Sequence, residues 1–109
     1  MLPIQMSETR SPHYPLEDVK SAIRDGRYWI TRRAGLDAAH GYLDEEDIRD
    51  CVLRLEECHF FKTMSSKKRP GLNQDVYRCR YAGIPIYTKL QIGHEDRAVV
   101  ISFKRDERA

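Results

Sequence analysis

The sequence predicts an α+β fold in which N-terminal helices pack on one face of a C-terminal antiparallel sheet. Apolar residues recur every three or four positions up to His59, and at every second position after it. Turn signals between the later segments are typical of strands joined by hairpins. The chain has 109 residues, enough for one hydrophobic core. We expect a flexible tail over residues 1–11 and a single domain over residues 12–109.

Two helices are predicted in the first forty residues. The first covers residues 15–25, where a proline opens the first turn and Gly26 suits the position after the end. Residues 27–30 can then be extended. Thr31 is a good N-cap for a second helix over residues 32–40.

The third helix has the clearest pattern. Asp44 is predicted to cap it, and the three acidic residues that follow place negative charge where the helix dipole favours it. Four apolar side chains then share one face, at Ile48, Cys51, Val52 and Leu55. The acidic run therefore indicates a helix start and a solvated surface, and not a metal site.

Four strands are predicted after His59, because apolar and polar residues alternate there. They cover residues 60–64, 76–81, 84–92 and 98–105. A basic loop over residues 65–71 joins the first two strands, and tight turns at residues 82–83 and 93–96 join the others.

Strand alternation divides the side chains between a face toward the helices and an outer face. In the first strand, Phe61 and Thr63 are expected to face the helices, opposite Phe60, Lys62 and Met64. In the last strand, the side chains expected to face the helices are Val99, Ile101 and Phe103, and the outer ones Val100, Ser102 and Lys104.

The outer face is predicted to be strongly basic. It gathers Lys62, Arg78, Arg80, Tyr87, Lys89 and Lys104, and the neighbouring loop adds Lys67, Lys68 and Arg69. Residues 60–109 have 11 basic and 5 acidic residues, although the whole chain has 19 and 17. Cations bind phosphates, and aromatic rings stack on bases at about 1–3 kcal/mol each. The pattern favours binding of RNA or single-stranded DNA, with a basic protein-binding surface as the alternative.

The same face has the groups that RNA cleavage without a metal requires. A base must take the proton of the attacking 2′-hydroxyl, an acid must protonate the leaving 5′-oxygen, and cations must stabilise the developing charge. The lysines and arginines can supply the positive charge. Tyr87 can take part in proton transfer or provide a stacking surface, and Gln74 can provide hydrogen bonds. The assignment of base and acid stays open at this point.

Other classes of protein are disfavoured. No run of about 18 apolar residues predicts a membrane span, and no secretory signal is predicted. We therefore expect a cytoplasmic protein whose three cysteines are reduced. Cys58 and His59 are adjacent but lack the further ligands of a zinc site, so that we expect no metal and no cofactor.

Seven short sequence motifs occur in a fixed order along the chain. They are PHY at residues 12–14, LEDVK at 16–20, TRRA at 31–34, FFKTM at 60–64, QDVYR at 74–78, IYTKL at 86–90 and VISFK at 100–104. In this order they resemble the motility quorum-sensing regulator (MqsR) toxin family. The resemblance implies a bacterial toxin of a type II toxin–antitoxin pair with a RelE-like α+β fold. It also implies a metal-independent endoribonuclease (mRNA interferase) that cuts single-stranded messenger RNA at short GC-containing sequences.

The resemblance further implies a set of site residues and a partner. The catalytic residues carried over from the family are Lys62, Gln74, Tyr87 and Lys104. RNA contacts are then expected from Lys67, Lys68, Arg69, Arg78, Arg80 and Lys89. The expected partner is a zinc-binding, helix-turn-helix antitoxin like MqsA, so that no direct DNA binding is expected from the toxin alone. Two alternatives remain: a non-catalytic module that binds RNA or protein through the same basic face, and an adaptor that adds a partner strand at a sheet edge.

Overall fold

The computed structural model describes residues 8–9, 11–65 and 71–108. The helices are α1 (Leu16–Arg24), α2 (Arg32–His40) and α3 (Glu45–Leu53). The strands are β1 (Glu8–Thr9), β2 (Tyr28–Ile30), β3 (Phe60–Ser65), β4 (Asn73–Tyr81), β5 (Ile84–Ile92) and β6 (Ala98–Arg105). Two short 3₁₀ turns cover Glu57–His59 and His94–Asp96. The three predicted helices and the four predicted strands are present, and the α+β class is confirmed.

Polar side chains begin the second and third helices, as predicted. The Thr31 hydroxyl accepts a hydrogen bond from the Ala34 backbone N–H at 3.1 Å and so caps α2. At α3, the Asp44 carboxylate accepts from the Asp47 N–H at 3.0 Å, and the Asp47 carboxylate accepts from the Asp44 N–H at 2.9 Å. This reciprocal capping box satisfies two backbone donors that would otherwise lack partners at the helix start.

The sheet has the strand order β1-β3-β4-β5-β6-β2. Strands β3 to β6 form the predicted antiparallel meander, but β2 joins β6 in parallel, so the sheet is mixed. This pairing packs the partly buried Tyr28 and Ile30 against the core beside Ala98 and Val100. Part of the segment expected to be a tail is also paired, because β1 lies antiparallel to β3.

All three helices pack on one face of the sheet. Buried side chains from the helices include Val19, Ile23, Ala34, Ala38, Ile48 and Val52. Buried side chains from the sheet include Tyr77, Ile86, Leu90, Val100 and Phe103. Among the described residues, no helix is long and apolar enough to cross a membrane.

A β-bulge in β3 reverses the predicted positions of its two phenylalanines. Phe60 pairs with Tyr77 and Lys62 pairs with Val76, so Phe61 is an extra residue in the ladder. Phe60 therefore packs against the core, and Phe61 lies on the outer face beneath Arg78. The predicted alternation was wrong for both, because one inserted residue shifts every position before it to the other face.

A second bulge in β6 has the same effect. Leu90 pairs with Val100 and Lys89 with Ser102, which leaves Ile101 as the extra residue. Val100 is consequently buried in the core, whereas the sequence placed it on the outer face with Val99 and Ile101 toward the helices. The positions after the bulge follow the prediction, since Phe103 is buried and Lys104 is exposed.

Candidate active site

Five of the predicted residues lie on the outer face of the sheet, in two rows that run across the strands: Lys62, Arg78, Tyr87, Lys89 and Lys104. One row contains Arg78, Tyr87 and Lys104, which are paired by register on β4, β5 and β6. The next row contains Lys62, Val76, Lys89 and Ser102 on β3, β4, β5 and β6. Neighbouring strands lie about 4.8 Å apart, so adjacent members of a row are within reach of one another.

Lys89 occupies the middle of a lysine cluster formed by Lys62, Lys89 and Lys104. Burial lowers the pKa of Lys89 below the usual 10.5, and the positive charges of Lys104 and then Lys62 lower it further. Val76 lies between Lys62 and Lys89 and is fully buried. The cluster therefore places three cations around a buried apolar side chain on the outer face, where their combined positive charge favours an anionic group.

Tyr87 lies beside the lysine cluster, with Arg78 on one side and Lys104 on the other. The Lys104 ammonium is 5.2 Å from the centre of the Tyr87 ring. A cation at this distance is attracted to the ring face by about 0.5–1 kcal/mol at an exposed site. The contact holds the phenol and an ammonium group next to each other, which is an arrangement suited to proton transfer at a phosphate.

Arg78 is fixed by contacts that the sequence did not predict. Its Nε donates to the Asp106 carboxylate at 2.6 Å, and its guanidinium lies 5.0 Å from the centre of the Phe61 ring. Burial alone would raise the pKa of Asp106. Hydrogen bonds from the Arg78 side chain and the Arg108 backbone N–H, together with the positive charges of both arginines, outweigh burial and hold this pKa below 3.8. Arg78 is thus oriented on the outer face by a buried carboxylate and an aromatic ring.

Sequence reasoning missed both of these supporting residues. Phe61 was assigned to the other face because alternation carries no signal for a bulge. Asp106 follows the last predicted strand, and its backbone N–H donates to the Pro85 carbonyl at 2.8 Å. This bond continues the pairing of β6 with β5 by one residue, so extending the strand would have placed Asp106 on the face of Lys104.

Gln74 lies on the same face at the other end of the site. It precedes Val76 by two residues on β4 and is half-buried. Lys62 pairs with Val76, so Gln74 is its diagonal neighbour, about 7–8 Å away. From strand spacing, the Cα atoms of Gln74 and Lys104 are about 16 Å apart. The four predicted catalytic residues therefore share one face, with Gln74 next to Lys62 at one end and Tyr87 next to Lys104 at the other.

The other predicted RNA contacts lie at the margin of the face or beyond the described residues. Arg80 is exposed, and its Nη1 donates to the Gly83 carbonyl at 2.8 Å, which ties it to its own hairpin. Lys67, Lys68 and Arg69 fall outside the residues that the structure describes. Within residues 8–9, 11–65 and 71–108, no three His, Cys, Asp or Glu side chains are grouped to hold a metal ion.

A buried carboxylate holds the chain before α1 against the sheet that carries this site. Asp75 lies between Gln74 and Val76 and is 1% exposed. Its oxygens accept hydrogen bonds from the backbone N–H groups of His13 at 2.9 Å and Tyr14 at 2.8 Å. The segment before α1 thereby covers the helix-facing side of β4 at the level of Gln74.

Comparison with known proteins shows which family this sequence is similar to. Residues 11–105 match the family described as motility quorum-sensing regulator, toxin of MqsA. The chain is also 33% identical over 97 residues to the mRNA interferase toxin MqsR of Escherichia coli (strain K12). That alignment covers 89% of this chain and 97% of the relative. The family match includes every described helix and strand except β1, and ends one residue before Asp106. The resemblance carried by the ordered motifs is confirmed, and the chain belongs to the motility quorum-sensing regulator (MqsR) toxin family.

Proposed function

We propose that this protein is an mRNA interferase: a toxin that cleaves single-stranded messenger RNA on the outer face of its sheet. The observation that carries the proposal is the lysine cluster beside Tyr87, which combines several cations with a phenol on an accessible surface. Membership in the MqsR family and the name of the Escherichia coli relative support the same activity. Short GC-containing sequences are the expected cleavage sites, and the cytoplasm is the expected place of action.

The proposed reaction needs no metal ion. The 2′-oxygen forms a bond to the adjacent phosphorus as the bond from phosphorus to the 5′-oxygen breaks. The products are a 2′,3′-cyclic phosphate and a 5′-hydroxyl, and the proton that leaves the 2′-hydroxyl is balanced by one delivered to the 5′-oxygen. The reaction therefore requires proton transfer and charge stabilisation, and both can come from side chains.

Each residue of the face has a proposed role in this reaction. Lys62 and Lys104 stabilise the negative charge on the phosphate, and Tyr87 takes part in proton transfer. Gln74 hydrogen-bonds the RNA at the end of the face near Lys62. Phosphates along the strand are bound by Arg78, Arg80 and Lys89, with Lys67, Lys68 and Arg69 on the loop.

The proposed partner is a zinc-binding, helix-turn-helix antitoxin like MqsA. The family description names its members as toxins of MqsA, which supports an antitoxin of this kind. In this arrangement the antitoxin holds the zinc and contacts the DNA, and the toxin alone does not bind DNA.

The test is cleavage of a long single-stranded RNA by the purified protein in EDTA, with the ends of the products identified. We expect fragments that end in a cyclic or 3′-phosphate. Tyr87→Phe should reduce the rate by about 10²- to 10⁴-fold, the usual size of a general acid–base contribution. Tyr42→Phe is the matched control, because Tyr42 is 98% exposed and lies between α2 and α3.

Lysine variants test the electrostatic part in the same assay. Lys62→Ala should slow cleavage, whereas Lys20→Ala on α1 removes the same charge away from the sheet face and should not. Circular dichroism checks that each variant is folded. Folded wild-type protein that leaves varied RNAs intact would overturn the proposed function, and salt-sensitive binding without cleavage would favour a non-catalytic module.

A further inference from the structure

The only tryptophan of the chain lies exposed on the face that carries the lysine cluster. Trp29 is the middle residue of β2, and 66% of its surface is accessible. Its neighbours Tyr28 and Ile30 pack against the core, so Trp29 points to the opposite side. Its partner in the ladder is Val99, which the bulge in β6 also places on the outer face. The ring therefore contributes little to the core and stands on the proposed RNA-binding surface.

A cation accompanies this ring. The Arg97 guanidinium is 5.4 Å from the centre of the Trp29 ring. The nearest carboxylate paired with Arg97 is that of Glu95, and this contact is long, at 3.9 Å. An exposed indole beside a guanidinium combines a surface on which a base can stack with a charge that can meet a phosphate. This is the combination that single-stranded nucleic acids require of a binding surface.

The Trp29 pair is continuous with the lysine cluster. Val99 pairs with Gln91, which is two residues along β5 from Lys89. From strand spacing, the Cα atoms of Trp29 and Lys89 are about 12 Å apart. The outer side chains between them are Gln91, Val99 and Ser102, none of which is acidic. A strand of RNA bound at the lysine cluster can therefore cross these three side chains toward Trp29 without meeting an acidic side chain among them.

We propose that Trp29 and Arg97 form an accessory subsite that stacks one base of single-stranded RNA while its backbone reaches the lysine cluster. The proposal rests on the proposed function, because it extends the same substrate across the sheet. Its contribution is to binding, and bond breaking stays at the lysine cluster and Tyr87. The subsite should affect an RNA long enough to reach both places and leave a dinucleotide substrate unaffected.

The binding test uses the full-length protein and a mixed-sequence 2′-O-methyl RNA octamer, which cannot be cleaved because it lacks the attacking hydroxyl. Since Trp29 is the only tryptophan, stacking should quench the fluorescence of the protein as the octamer is added. Trp29→Ala should weaken binding of a labelled octamer by roughly fivefold to a hundredfold, the range found when a stacking ring is removed. Trp29→Phe keeps an aromatic ring and should retain most of the affinity.

Cleavage by the same variants separates the subsite from the activity itself. Trp29→Ala should raise KM for a long RNA and leave kcat and the cleavage of a dinucleotide unchanged. Tyr42→Ala is the matched control, since it removes an exposed ring from the helical side of the protein. If the wild type cleaves RNA and Trp29→Ala binds and cleaves the long substrate equally well, the subsite is refuted and the activity stands. If the wild type neither binds nor cleaves RNA, the proposed function fails and the subsite with it.

Discussion

Replacement of the buried carboxylate at Asp75 by an amide should destabilise the protein strongly. In the native chain, its two oxygens accept hydrogen bonds from the backbone N–H groups of His13 and Tyr14. Asp75→Asn keeps the shape but turns one oxygen into an amino group, which then faces one of these donors. One charge-assisted bond is lost, at about 1.5–3 kcal/mol, and a part-buried N–H loses its partner, at about 1–2 kcal/mol. The expected loss is the sum of the two, about 2.5–5 kcal/mol in the free energy of unfolding.

Urea unfolding followed by circular dichroism measures this loss, and thermal melting should show a fall in Tm of about 10–20 °C for a domain of this size. Asp37→Asn is the control, because it removes the same charge from the middle of α2 and should change stability by about 0.5 kcal/mol or less. Hydrogen exchange at the His13 and Tyr14 amides shows whether their partners are lost. A variant within 1 kcal/mol of wild type, with both amides still protected, would refute the role assigned to Asp75.

Three further predictions concern charged and polar contacts near the sheet. Lys104→Met should raise the pKa of Lys89 toward 10.5, as measured by NMR titration of the Lys89 side chain. In the wild type, the unfolded chain binds more protons than the folded one between the two pKa values of Lys89, so the contribution of Lys89 to stability should rise with pH across that window. Asp106→Asn should lower the unfolding free energy at pH 7 by about 1.5–3 kcal/mol by removing the charged partner of Arg78, and the difference from wild type should vanish in urea titrations below the depressed pKa of Asp106. Tyr81→Phe should lower the free energy of unfolding by about 1–2 kcal/mol in the same titration. The Tyr81 hydroxyl lies 3.0 Å from the Asp47 and the Asp50 carboxylate of α3, and its single O–H donates to one of them at a time.

Much of the architecture was predictable because local chemistry specifies it. The cap at Asp44, the cap at Thr31 and the change from helical to alternating spacing at His59 all involve residues close together in sequence. Alternation also placed Lys62, Tyr87 and Lys104 on one face, where the structure has them. These signals require no knowledge of which segments meet in space.

The remaining features depend on contacts between distant segments. The parallel pairing of β2 with β6 joins residues about seventy positions apart, and three residues of β2 carry too short a pattern to predict it. The bonds from Asp75 to His13 and Tyr14 likewise join positions 61 and 62 residues apart. The two bulges add one residue each to an alternating pattern, and a sequence that reads as a regular strand gives no sign of the insertion. Trp29 was missed for the same reason, because its face follows from its pairing with Val99.

The lowered pKa of Lys89 links the stability of the protein to the ligand that its face binds. Burial, and then the positive charges of Lys104 and Lys62, make the charged form of Lys89 unfavourable in the free protein, and these effects lower its pKa. A phosphate placed among these lysines reverses the effect, because an adjacent negative charge favours the protonated form. RNA binding should therefore raise the pKa of Lys89, take up protons at a pH above the free-protein pKa, and stabilise the folded chain. A bound anion relieves the repulsion among these lysines, so the surface is better adapted to binding phosphates than to being left exposed. The same repulsion among positive charges limits how many further cations the face can hold without a loss of stability.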